Sequence, residues 1–159
     1  MPSNPEAHEL LKNLLQDQHL AVLATLMRGR PYTSLVAFAA LEDLRRIAFV
    51  TSRATTKYRN LTEEPDVSVL IDSRTHSVTD FTTGAAVTAV GRAAEIPKDE
   101  SGPLVARFLA KHPHLETFVR APSTAMCTVE VETYYLVTRF QHVVEMDVRQ
   151  WSSSNPSQR

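Results

Sequence analysis

The chain has 159 residues, a formal net charge of −1 and 43% apolar residues, which suits one globular domain that buries roughly two-thirds of the surface of its unfolded chain. The near-neutral balance gives no basic excess for nucleic acid, and the single Cys127 excludes a disulfide within the chain and favours a reducing compartment. No apolar run reaches the ~20 residues of a membrane span, and MPSNPEAHEL has neither a basic nor an apolar leader character, so the expectation is a soluble, cytoplasmic protein with no nucleic-acid or membrane partner.

In chain order, Ser3-Asn4-Pro5-Glu6 fits a capping-box start, with Glu three residues after Ser. Leu10, Leu11, Leu14 and Leu15 then share one helical face, predicting a helix from Glu6 to about Gln18 over one end of a sheet. His19–Met27 is a short apolar strand, followed by the turn Arg28-Gly29-Arg30-Pro31. Pro31–Leu41 is the next strand, apolar on both faces after Ser34, as expected where one face meets the core and the other a partner or ligand. Glu42–Arg45 is a polar turn and Arg46–Thr51 a third strand.

The third strand delivers the chain into TSRATTKYRNL, a hydroxyl-rich basic loop running into a helix over about Thr55–Glu64, which Pro65 stops. Val67–Asp72 is the fourth strand, Ser73–Asp80 a polar loop and Ala85–Ile96 a long fifth strand. Gly91 inside it predicts a bulge or a close backbone approach. Pro97 to about Arg120 is mainly helical, with Leu104, Val105, Phe108 and Leu109 at helical spacing and Pro113 as a break. Thr124–Glu132 alternates as a strand, and Tyr134–Phe140 and Val143–Val148 continue the sheet. One domain over 1–148, with its N-terminal helix in 1–18, is followed by a polar tail over 149–159 that is mobile unless Trp151 anchors it. Six or seven strands with tight connections favour an antiparallel sheet closed or partly closed into a barrel, which removes exposed edges.

The TSRATTK loop has two readings. It suits a phosphate, because free N–H groups at a helix start, hydroxyls and the helix dipole all favour an anion, with Lys57 as point countercharge. It also fits an ordinary N-capped helix with a solvated basic face. It lacks the glycines of a P-loop or a dinucleotide fingerprint. Of the six histidines, His112 and His114 read as surface residues at a helix end, and no Cys, His or carboxylate set has zinc spacing. His76 lies in the polar loop, and His142 is a lone candidate haem ligand. Cys127, in an apolar strand, reads as a buried inert thiol.

The order LAVLATL, turn, RPYTSLVAF, turn, FVTSRATTKYRNL, EEPDVSVLID, then AVTAVGRAAEI resembles the pyridoxamine 5′-phosphate oxidase-like flavoproteins. The likeness is close over Leu20–Ile96 and looser in the C-terminal third. The resemblance implies a mainly β fold, a six-stranded antiparallel Greek-key split β-barrel with a few peripheral helices. It also implies a homodimer with FMN at the subunit interface and a small-molecule substrate. Carried over by position, Lys57 matches the family's phosphate lysine and Thr55 the hydroxyl before it. Thr51 and Ser52 match the strand end lining the ribityl chain and phosphate, and Val36 lies on the strand that runs past the isoalloxazine. Three positions depart from the true oxidases: Ser34 and Ala39 stand where those carry Arg and Lys, and Thr56 replaces the basic residue before the lysine. Arg53 is then the candidate for the missing charge. The C-terminal grip on a vitamin phosphate has no counterpart, so the resemblance implies an FMN-dependent oxidoreductase on another substrate. The deazaflavin F420 on the same fold, or a non-catalytic flavin- or haem-binding module, are the alternatives.

Overall fold

The computed structural model describes residues 4–139 and 141–151. Asn4, rather than Ser3, caps the first helix: its Oδ1 accepts from Ala7 N at 3.0 Å, with Pro5 in the first turn. Ser3 and the tail beyond Trp151 lie outside the described residues. Helix α1, Pro5–Asp17, buries Ala7, Leu11, Leu14 and Leu15 against the barrel.

Strands β1 (Leu20–Met27) and β2 (Arg30–Ala40) form a hairpin. Its turn places Arg28 and Gly29 at φ 52° and 76°, the double positive φ that matches strand twist. Strand β3 (Arg46–Ser52) pairs with β2, and helix α2 (Thr56–Glu63) leads into β4 (Asp66–Asp72), which pairs back on β1. The spatial order β3-β2-β1-β4 is a Greek key. The β4–β5 loop contains a one-turn helix α3, Asp80–Thr83, where a plain polar loop was expected, nucleated by Asp80 accepting from Thr75 N, His76 N and Ser77 N.

Strand β5 (Ala85–Glu95) follows, then α4 (Gly102–Lys111), a 3₁₀ turn at Pro113–Leu115, α5 (Glu116–Arg120), β6 (Thr124–Thr138) and β7 (His142–Asp147). The expected pair of C-terminal strands is one strand, β6, of 15 residues. Its first part, Thr124–Glu130, pairs with β3 and closes the barrel, while Thr133–Thr138 pairs with β7 instead. Six strands close as β3-β2-β1-β4-β5-β6, and β7 extends the sheet. Strand β5 follows β6 throughout, with a register shift between Val90 and Gly91. A Cβ at Gly91 would overlap the Glu130 carbonyl oxygen, so Gly91→Ala is expected to cost about 1–2 kcal/mol by forcing the bulge open, measurable as a lower urea midpoint.

Alternation sorts the strands. Leu23, Phe38, Phe49, Val69, Val87 and Val129 fill the interior. A second cluster of Ala39, Ala48, Val50, Leu104, Phe108 and Met126 packs α4 on the outside of β2, β3 and β6. Cys127 is fully buried, and burial pushes its thiol up to about 12. It should therefore ignore thiol reagents in the native protein and react once the chain is unfolded in denaturant.

Trp151 is held by the body of the protein. Its ring stacks on Tyr134 and meets His8 edge-on, and its carbonyl accepts from Arg45 Nη2 at 2.6 Å.

Candidate functional site

The end of β3 and the start of α2 form the site. Thr55 is the N-cap of α2, its Oγ1 accepting from Tyr58 N at 3.3 Å. Thr55 Oγ1 also lies 2.9 Å from Thr51 Oγ1 and donates to Ser52 O at 2.9 Å. Thr51 is buried. These two hydroxyls therefore build the turn. Below the helix, Asn60 Nδ2 donates to Thr25 Oγ1 at 3.0 Å, and Thr25 Oγ1 donates to Tyr32 O at 3.3 Å. This buried chain and Leu61 fix α2 over the barrel end.

Arg53 does not supply a free countercharge. Its guanidinium is paired with Glu95, with Nε 2.9 Å from Glu95 Oε1, and Nη1 donates to Pro122 O at 2.8 Å. Tyr58 Oη donates to the second Glu95 oxygen at 2.7 Å. Burial alone would raise the Glu95 carboxyl, but the hydrogen bonds from Arg53 and Tyr58 outweigh it and hold the group below its ordinary 4.5. The trio joins β5 to the loop across 42 positions, so no local sequence signal announces it.

What remains open faces outward. Lys57 is half-buried, and among the described residues its Nζ has neither a hydrogen bond nor an ion pair. The N–H groups of Thr56 and Lys57 head the first turn of α2, where no intrahelical acceptor exists. The hydroxyl of Thr56 has no partner among the described residues, and Ser52 Oγ accepts from Ala54 N at 3.2 Å. Two backbone donors, a hydroxyl and an uncommitted cation at one helix start fit a phosphate group. On β2, Val36 is buried in the core and Ser34 is half-buried on the same inward face, so of that strand it is Leu35 and Ala37 that face out.

The outer face carries a mostly apolar row, interrupted by Thr88. Cross-strand register aligns Leu35, Val22, Leu70, Thr88 and Tyr135 over β2, β1, β4, β5 and β6. Leu35 is 67% exposed and Leu20, beside it, 54%.

A second polar cluster escaped the sequence expectations. His112 is buried, not a surface residue: its Nε2 lies 2.7 Å from Phe38 O, and its ring contacts His19, His114 and Phe108. The signal was present, since Leu104, Phe108 and His112 recur every fourth residue on one helix face. Desolvation, with Lys111 nearby, pushes this histidine below its ordinary 6.5. A buried neutral base loses stability to acid once the unfolded chain binds the proton first, and a depressed carboxylate loses it as pH falls through its folded value. The urea midpoint should thus fall in two steps, the first below pH 6.5 from His112 and the second below 4.5 from Glu95 and its like. His112→Gln should remove the first step only.

No helix among the described residues is long and apolar enough to cross a membrane. None of their His, Cys, Asp or Glu side chains forms a metal-holding group.

The closed six-stranded antiparallel Greek-key barrel, with β7 as an extra strand, is a split-barrel fold. The family model for pyridoxamine 5′-phosphate oxidase matches residues 7–138, and the chain belongs to that family. No curated protein matches the sequence at a significant level. Among solved structures, a heme binding protein from Mycobacterium smegmatis is similar with a TM-score of 0.81 at 20% identity, over 92% of this chain and 60% of the other. This chain thus spans only about three-fifths of that protein. HutZ, the heme storage protein from Vibrio cholerae, has a TM-score of 0.69 at 20% identity, over 87% of this chain and 95% of the other. A FAD-binding protein from Mesorhizobium loti has a TM-score of 0.65 at 18% identity, over 82% and 90%. At these identities the likeness is one of fold.

Proposed function

We propose that this protein is an FMN-binding oxidoreductase acting on a small molecule, with the FMN phosphate held at the start of α2. The observation that carries this reading is Lys57, half-buried and without a partner among the described residues, beside open backbone donors. Lys57, Thr56 and Ser52 would hold the phosphate. Arg53, Thr51 and Thr55 act one step back by shaping the loop. Ser34 and Val36 support the site from β2 without adding charge. The bound flavin supplies the redox chemistry, and the chain supplies anchoring, ring orientation and a shaped pocket.

The apolar row from Leu35 to Tyr135 supports a homodimer, because an exposed contiguous patch of this kind favours a partner surface. In this reading the second subunit closes the flavin site at the interface. Sedimentation should then give twice the chain mass, and Leu35→Glu should give monomers with weakened FMN binding. FMN titration into purified protein, with F420 in a parallel arm, tests the cofactor. Tighter binding of F420 would replace FMN while keeping the fold.

The names of two structural neighbours favour a second reading, a haem-handling module. Here His142, exposed at the start of β7, is the candidate ligand. A Soret band on hemin addition that His142→Ala abolishes would support it, and an unchanged hemin spectrum would end it.

A further inference from the structure

A pocket of about 230 Å³ lies where the segment after β5, α4 and α5 meet the start of β6. Ser52, Thr56 and Lys57 do not line it, so it is not the proposed flavin-phosphate site. Three cations border it, Arg53, Lys98 and Arg120, and no lining residue is acidic. Glu95 holds Arg53, and Glu116 accepts from Arg120 Nε at 3.1 Å, both carboxylates standing outside the lining. Lys98 meets only a carbonyl, Pro122 O at 3.4 Å, and has no ion pair among the described residues. Each of the three keeps N–H groups to spare.

Thr124 is the unusual residue here. It shares the outward face of β6 with Met126, while Ala125 and Cys127 fill the interior. Thr124 is only 4% exposed, yet its hydroxyl has no hydrogen-bond partner among the described residues. None of their wholly buried polar side-chain atoms lacks a partner, so this hydroxyl opens into the pocket. Ser101 is buried beside it and donates to Lys98 O at 3.0 Å. Ser101 is also the N-cap of α4, and its side chain makes no capping bond. The start of that helix, with its free N–H groups and positive dipole end, is thus left without an acceptor from its cap. Burying a hydroxyl with no partner costs free energy, and a bound oxyanion would supply the missing acceptor.

We propose that this pocket binds a small phosphomonoester, with Lys98 and Arg120 as countercharges and the Thr124 hydroxyl donating to a phosphate oxygen. Arg53, fixed by Glu95, closes the side towards β3. Several cationic donors around one hydroxyl suit the multiple oxygens of a phosphate better than the two of a carboxylate. The pocket is smaller than the roughly 300–1,000 Å³ of sites for drug-sized ligands, which excludes a flavin or a nucleotide. Ile96, Val105 and Met126 give it an apolar wall that suits a short carbon chain.

The test uses the intact, isotope-labelled protein and follows its amide NMR shifts as propyl phosphate, inorganic phosphate and propanol are added in separate titrations. Propyl phosphate should shift the amides of Lys98, Ser101 and Thr124 saturably at millimolar concentrations, inorganic phosphate more weakly and propanol not at all. Thr124→Val keeps the side-chain shape and removes the hydroxyl, and Lys98→Gln changes an exposed position. Each should weaken propyl phosphate binding about tenfold, and Lys98→Gln should keep the unliganded amide pattern, so it decides the matter even where Thr124→Val fails to fold. Lys57→Ala should leave these shifts unchanged while it weakens FMN binding, which separates the two sites. Propyl phosphate shifts confined to the start of α2, or absent from the pocket at millimolar concentrations, would overturn the proposal. So would binding that Lys98→Gln does not weaken.

Discussion

Tyr134→Ala is expected to destabilise the protein by about 3–5 kcal/mol, the cost of deleting a large, fully packed side chain and leaving its cavity. Tyr134 has no exposed surface, and its hydroxyl donates to Leu44 O at 2.6 Å. Leu44 has a φ of 57°, a strained backbone for a side-chain-bearing residue that the turn between β2 and β3 holds only with support. The same ring carries Trp151 in a stacked pair. One substitution therefore empties part of the core, releases the β2–β3 turn and removes the ring that Trp151 stacks on. Tyr134→Phe separates these parts. It keeps the packing and leaves a buried carbonyl unpaired, so about 1–3 kcal/mol should be lost. Denaturant unfolding followed by tryptophan fluorescence reads both, because Trp151 is the chain's one tryptophan.

Lys57→Ala is expected to weaken FMN binding by about 1.5–3 kcal/mol, roughly 10- to 150-fold in Kd, if a charge-assisted contact to the phosphate is lost. The fold should hardly notice. Lys57 has no partner among the described residues, so its removal orphans no group among them. The melting temperature without FMN should stay put, while the stabilisation that FMN adds should shrink. Lys57→Arg should retain most of the affinity. Arg53→Ala should behave in the opposite way: it strips Glu95 of its guanidinium and should lower stability without FMN as well as with it.

Much of this architecture is written locally in the chain. Arg28-Gly29 announces a hairpin, Pro65 ends a helix, and Gly91 marks the bulge where β5 passes Glu130. The double-sided apolar character of Pro31–Leu41 is also legible. One face of β2 meets the core, and on the other α4 covers Ala39 while Leu35 stays open. What the structure adds is decided mostly by partners distant in sequence. Arg53 reads as a free cation until Glu95 comes beside it. Thr51 and Thr55 read as ligand hydroxyls, and the turn joins their oxygens to each other at 2.9 Å. A single strand β6 replaces two because β3 and β7 use successive lengths of the same edge.

The proposal that FMN binds at the start of α2 is tested most directly by adding FMN to the purified protein, removing free flavin by gel filtration and recording the absorbance spectrum. Retained flavin bands at one FMN per chain, with a Kd at or below the micromolar range, are the predicted result. A protein that emerges without flavin after exposure to FMN well above micromolar concentrations would contradict the account.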